Sequence, residues 1–187
     1  MSSTHDYSDA EMAKTTESTS EETGLVVVCE YLKANTIKQE RIPLVSTTVD
    51  EIAFKNRRNL KSVELPYGIN RIALGAFKGC INLTSVTIPD SVTEIGAFTF
   101  EGCEGLTSVT IPDSVTSIGE GAFRYCERLT SVTIPDSVTE IGVEAFWGCT
   151  GLTSVTIPDS VTSIEKNAFE GCPLDEATRA RIEEITG

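Results

Sequence analysis

The chain is poor in the residues most enzymes rely on. Among 187 residues it has one histidine, His5, one tryptophan and two methionines, and its longest apolar run is Leu25-Val26-Val27-Val28-Cys29. With the sole imidazole in a polar stretch near the amino terminus, histidine-based acid–base catalysis and histidine metal ligation are excluded. A run so far below the ~18 residues of a membrane span supplies no bilayer-crossing helix. No basic segment followed by an apolar one opens the sequence, so no secretory leader is read there. That predicts cytoplasmic residence, or a cell-surface or secreted one if more chain precedes residue 1. The six cysteines contain no Cys-x-x-Cys pair, the short spacing that zinc sites use.

Basic residues are also scarce, 15 against 28 acidic ones, for a net charge of -13. Residues 1–24 carry -5, residues 25–82 carry +4, residues 83–172 carry -10 and residues 173–187 carry -2. An acidic middle repels phosphate backbones and anionic lipids, so neither nucleic acid nor a membrane surface is an expected partner. The basic group Lys55, Arg57, Arg58, Lys61 and Arg71 has no interleaved aromatic residues and reads as a solvated end.

What the chain has in abundance is itself. Leu60, Leu83, Leu106, Leu129 and Leu152 recur every 23 residues, as do Cys80, Cys103, Cys126, Cys149 and Cys172. Phe54, Phe77, Phe100, Phe123, Phe146 and Phe169 keep the same period. The segment Thr-Ser-Val-Thr-Ile-Pro-Asp-Ser-Val-Thr returns unchanged from Thr84, Thr107, Thr130 and Thr153. A fainter copy, with Ile37, Ile42, Pro43, Ala53 and Phe54, precedes them, for about six rungs.

Within a rung, Val86 and Ile88 around Thr87 show the two-residue alternation of a short strand. Pro89 has no ladder donor, and Asp90 and Ser91 favour a turn, so the chain must bend there. A single rung leaves both flat apolar faces in water and cannot fold alone. Stacking like on like buries those faces and pairs each strand with its neighbours at about 4.8 Å. The period therefore predicts an α/β solenoid of about six 23-residue rungs with a parallel sheet along one side.

The pattern Leu-x-x-Val-x-Ile-Pro-x-x-Val-x-x-Ile, followed by Ala-Phe-x-Gly-Cys, as in Leu129 to Cys149, resembles the BspA-like, or Treponema-type, leucine-rich repeats. The resemblance covers about residues 37–174. It implies a leucine-rich repeat solenoid, a family associated with microbial surface antigens, adhesion and protein–protein interaction, and no enzymatic activity in the repeat. Two departures stand out: Thr99 replaces the alanine of other rungs, and Arg57 replaces the cysteine.

Four segments are expected. Residues 1–24, rich in Ser, Thr and acids, read as a disordered tail. Residues 25–36 read as a strand capping the first rung, residues 37–174 as the solenoid, and residues 175–187 as a helix capping the last rung. Proline and acids at Pro173-Leu174-Asp175-Glu176 mark the helix start.

No catalytic residue, metal ligand or cofactor is assigned. Serines have no histidine partner, carboxylates repeat without converging, and the column Asp90, Asp113, Asp136 and Asp159 lacks the acid interleaving of calcium-loaded repeats. The cysteines read as buried free thiols, because parallel side chains make poor bridging geometry. Asn82-Leu83-Thr84 is a formal glycosylation acceptor that matters only for an exported chain.

Two surfaces are candidates for binding. On the sheet face, Ser85, Ser108, Ser131 and Ser154 form one file, with Thr87, Thr110, Thr133 and Thr156 beside it. Such a uniform hydroxyl lattice suits ice or a crystal lattice, or the chain could self-associate through matching rungs. Surfaces that read one particular protein vary their anchors from place to place. Variation is concentrated on the return side, where Phe98, Arg124, Tyr125, Arg128 and Trp147 are the candidate contacts for an unidentified protein partner. The expected function is a non-enzymatic protein-interaction or adhesion module, with ice or lattice binding and self-association as alternatives.

Overall fold

The computed structural model describes Val28–Cys29 and residues 48–187. The expected tail at 1–24, most of the cap at 25–36 and the opening of the solenoid at 37–47 lie outside these residues.

Short strands alternate between two sides of a coil of chain. On one side are β1 (Val28–Cys29), β3 (Ser62–Glu64), β5 (Ser85–Thr87), β7 (Ser108–Thr110) and β9 (Ser131–Thr133). On the other are β2 (Thr48–Val49), β4 (Arg71–Ile72), β6 (Glu94–Ile95), β8 (Ser117–Ile118), β10 (Glu140–Ile141) and β11 (Ser163–Ile164). In the first set β3–β5 and β7–β9 are parallel pairs, a single bridge continues from Thr133 to Thr156, and β1 lies antiparallel to β3. Between β5 and β7 the ladder loosens, held by the Thr107 N–H donating to the Thr84 carbonyl at 3.4 Å.

The second set is a continuous parallel sheet in the order β2-β4-β6-β8-β10-β11. Its register steps by one repeat each time, Ile72 to Ile95 to Ile118 to Ile141 to Ile164. Sequence reading predicts one sheet, and the structure has two ladders. The second set escapes notice because Thr-Glu-Ile and Thr-Ser-Ile carry one inward apolar residue each, too few to display a two-residue period.

Each turn closes through a return segment, and the core lies between it and the two ladders. The phenylalanine column is a stack: consecutive rings from Phe54 to Phe169 lie 5.1–5.4 Å apart and within 12° of parallel. Translation by one rung forces that arrangement, and the offset of the rings lets each bury its neighbour's face. Beside it runs the cysteine column, in which each thiol donates to the phenylalanine carbonyl of the preceding turn, as Cys103 does to Phe77 at 3.3 Å. Thr99, buried where other turns have alanine, satisfies its hydroxyl by donating to the Gly96 carbonyl at 2.7 Å.

At the far end the chain leaves the coil as α1 (Glu176–Thr186), with Asp175 as N-cap accepting the Thr178 N–H at 2.8 Å. That bond holds the exposed Asp175 carboxyl below its ordinary range. Thr178 is buried, and its hydroxyl both donates to the Val155 carbonyl and accepts the Val155 N–H at 3.3 Å. It lies 23 residues beyond Val155, so a helix residue takes the bonds that the strand of a further turn would make. Leu174 is buried with it, and Ile182 and Ile185 pack against the core.

Candidate interaction surface

The sheet face carries its hydroxyls outward. Ser85, Thr87, Ser108, Thr110, Ser131, Thr133, Ser154 and Thr156 are all exposed, and Ser108 lies opposite Ser131 as Thr110 does Thr133. The central valines, Val86, Val109 and Val132, point the other way and are buried. This face is regular and chemically uniform.

The return side is built differently. Each turn crosses the left-handed backbone region twice, once in the column Ile52, Gly75, Phe98, Gly121, Glu144, Asn167 and once in the column Asn56, Gly79, Gly102, Tyr125, Gly148, Gly171. Glycine fits such positions freely, whereas an L side chain there costs about 1–2 kcal/mol. Phe98 (φ 54°) and Tyr125 (φ 58°) occupy them nevertheless. Each leans over the next turn, and in both cases that turn supplies glycine. A Cβ at Gly121 would lie 2.5 Å from the Phe98 ring, and one at Gly148 would lie 2.9 Å from the Tyr125 ring.

Around Tyr125 the variable residues converge. Its ring meets Trp147 edge-on, with centroids 4.7 Å apart, and its N–H donates to the Trp147 carbonyl at 2.8 Å. The Arg124 guanidinium lies 4.5 Å from the Trp147 ring centroid and 5.1 Å from that of Tyr125, and pairs with Glu144 at 3.2 Å. Clamped by two rings and a carboxylate, Arg124 fixes both aromatics in place. Tyr125 is 38% exposed and Trp147 half-buried. Phe98, also half-buried, stands apart, with the Lys78 ammonium 5.5 Å from its ring centroid. Arg128 is exposed and has no ion pair or hydrogen bond among the described residues.

Three further apolar residues lie open on this side: Ile52 at 55%, Leu74 at 42% and Val143 at 36% exposure. The Ile52 N–H donates to the Leu74 carbonyl, and the Gly121 N–H beneath the Phe98 ring donates to the Val143 carbonyl, which ties them to the same return columns. Sequence reasoning misses them because an exposed aliphatic residue has the same letter as a buried one. The available signal is positional: Leu74 and Val143 share a column with Glu51, Glu120 and Lys166, which no core position would tolerate.

The cysteines offer little chemistry. Cys80, Cys103, Cys126 and Cys149 are buried free thiols, Cys172 is a half-buried one, and the side chain of Cys29 is outside the described residues. Burial pushes the Cys80 thiol up to about 11 and raises Cys103 and Cys126 as well. Cys149 is raised by sharing a hydrogen bond with Cys172 as well as by burial, and the same bond lowers Cys172. Among the described residues no three of His, Cys, Asp and Glu come together as a metal-binding group, and no helix is long and apolar enough to cross a membrane.

The geometry has counterparts. Residues 47–175 match the family model of the BspA type leucine rich repeat region in six copies. The chain belongs to the BspA-type leucine-rich repeat family. Among solved structures, this BspA-type chain is similar to a leucine-rich repeat protein of Treponema pallidum, at 28% identity and a TM-score of 0.64, covering 75% of this chain and 77% of that one. It is similar also to a leucine-rich cell surface protein from Faecalibacterium prausnitzii, at 34% identity and a TM-score of 0.53. There the match covers 77% of this chain and 44% of the other, so the BspA-type chain spans less than half of that relative. A leucine-rich repeat protein from Eubacterium ventriosum gives 30% identity, a TM-score of 0.54, and 72% and 43% coverage. No curated protein matches. BspA-type repeat proteins are typically protein-binding or adhesive, and the repeat fold is typically non-enzymatic.

Proposed function

We propose that the protein is a non-enzymatic binding module whose protein partner docks on the return side, anchored by Tyr125 and Trp147 and oriented by Arg124. One observation carries this reading. Tyr125 occupies a left-handed position that is glycine in four other turns, at a backbone cost of about 1–2 kcal/mol. Its ring stays 38% exposed beside Trp147 and Arg124, the residue types that most often anchor interfaces. The half-buried Phe98 and the exposed Ile52, Leu74 and Val143 extend the surface along the same side.

The test is a capture experiment with the full chain on lysate and on surface proteins of its own source, followed by affinity measurement with Tyr125→Ala/Trp147→Ala. Loss of about 2 kcal/mol or more of binding is the expected outcome. A partner held equally well by the double variant would reject this site. Adhesion at a cell surface is part of the proposal, supported by the likeness to the Faecalibacterium cell surface protein.

The sheet face supports a second reading. Its eight exposed hydroxyls repeat at the rung spacing, which suits a solid lattice such as ice. Thermal hysteresis or inhibited recrystallisation, abolished by bulky substitutions at Thr110 and Thr133, would establish it.

A further inference from the structure

We propose that the two ends of the solenoid are complementary docking surfaces for a second copy of this chain, and that α1 is the gate between them. Inside the stack, alternate N–H groups of each return segment donate to the next turn. Gly121, Phe123 and Tyr125 bond the carbonyls of Val143, Ala145 and Trp147 at 2.7–2.8 Å. The equivalent donors of the last turn, Asn167, Phe169 and Gly171, have no acceptor among the described residues. At the opposite end the equivalent acceptors, the carbonyls of Glu51, Ala53 and Lys55, have no donor among the described residues. Among the described residues, one end is a row of donors without acceptors, and the other is a row of acceptors without donors in the same curved backbone.

The rows sit on the first and last of six turns that repeat every 23 residues, so a second copy can present its first turn as the next turn of the first copy. In that register Phe54 of the second copy continues the ring stack on Phe169. Lys55 stands over Glu170 in the column where Lys78 pairs with Glu101 at 2.6 Å inside the chain. The overall charges agree, since residues 25–82 carry +4 and residues 83–172 carry -10.

α1 stands in the way. It covers the core end of the last turn, but a cleft of about 470 Å³ lies between it and the return segment, lined by Ile164, Phe169, Cys172, Ile182 and Glu183 among others. Thr178 is the only buried residue of the helix, and Ile182 and Ile185 are half-buried. These contacts hold it, together with the Thr178–Val155 bonds and the Arg181–Asp159 ion pair at 3.1 Å. One helix with a single buried side chain nevertheless buries less than a full turn of the stack and opens at lower cost than the turns it covers. Once it lifts, the head-to-tail contact does not close on itself and runs on into a filament. The inference rests on the first and last described turns and is independent of the Tyr125–Trp147 site.

Sedimentation of the full chain across concentrations tests it. Ile182→Asp/Ile185→Asp, loosening α1, should strengthen association by about tenfold or more. Adding Lys55→Glu should weaken it about fivefold, and adding Glu170→Lys to that should restore it. A loosened variant that stays monomeric, or associates without regard to the charge pair, overturns the proposal. Should the loosened variant fail to fold, chains bearing Lys55→Cys and Glu170→Cys are mixed with oxidised glutathione. Cross-linking in the mixture and not in either chain alone supports the contact, and equal cross-linking in all three refutes it.

Discussion

The sheet side and the return side of this solenoid obey the same translation and have opposite characters. On the sheet side four successive turns carry the same ten residues, ending in one hydroxyl pattern. On the return side those turns present phenylalanine and glutamate, arginine and tyrosine, or valine and tryptophan. Both sides rest on the same buried columns of Leu, Phe and Cys, so the fold does not require the difference. Identity is what backbone pairing asks of a strand that faces water. Variety at left-handed turn positions, where glycine is easier, is what a surface selected for contact would keep.

Breaking the shared interior should give the largest effect. Phe123→Ala removes a ring stacked on both faces and should cost about 3–5 kcal/mol in denaturant unfolding, whereas Ser131→Ala on the sheet face should stay within about 0.5 kcal/mol. Comparable losses at the two positions would erase the distinction between interior and lattice. Next comes the coupling between turns on the return side. Gly148→Ala should destabilise by about 1–3 kcal/mol, because its φ is +72° and the new Cβ meets the Tyr125 ring. In a Tyr125→Ala background about 1 kcal/mol of that should return, read as the interaction energy of a double-mutant cycle.

Tyr125→Gly should change stability by less than about 1 kcal/mol, since relief of the left-handed backbone offsets the lost ring contact. Partner binding should nevertheless collapse. A large stability loss without a binding change would make Tyr125 a structural residue and dissolve the contrast between the sides. The smallest effect concerns the end cap of the sheet side. The Asp175 carboxyl has a lowered pKa, so its support of α1 is complete above its unfolded value near 3.8 and disappears as pH falls through the folded value. Asp175→Ala should therefore reduce helical circular dichroism slightly at pH 7, with the difference vanishing in strong acid.

Much of the fold is legible in the letters because translation by 23 residues stamps every column. Phe77 to Phe169, Cys80 to Cys172 and the Val-Thr-Ile-Pro corner are enough by themselves to specify the stack. The second ladder is not legible, since Ile95 or Ile118 alone within its strand gives no alternation. The site is legible in part. Tyr125 and Trp147 stand out as variable aromatics on neighbouring turns. The clamp that Arg124 makes between them depends on side-chain direction across turns, which spacing does not encode. Nor does composition reveal that Leu74 is exposed while Leu83 is buried.

A tyrosine that lies across the glycine of the next turn also limits how such a surface can change. In the two left-handed columns an aromatic anchor claims the space of its successor, so two large anchors cannot stand on consecutive turns of one column. Phe98 followed by Gly121, and Tyr125 followed by Gly148, follow that rule. A new anchor can arise only where the following repeat is already glycine, or must wait for a second mutation 23 codons away. Duplicating a repeat whole would place anchor on anchor and clash, so new recognition here is expected to come from pairs of point changes, with anchors of one column no closer than every second turn.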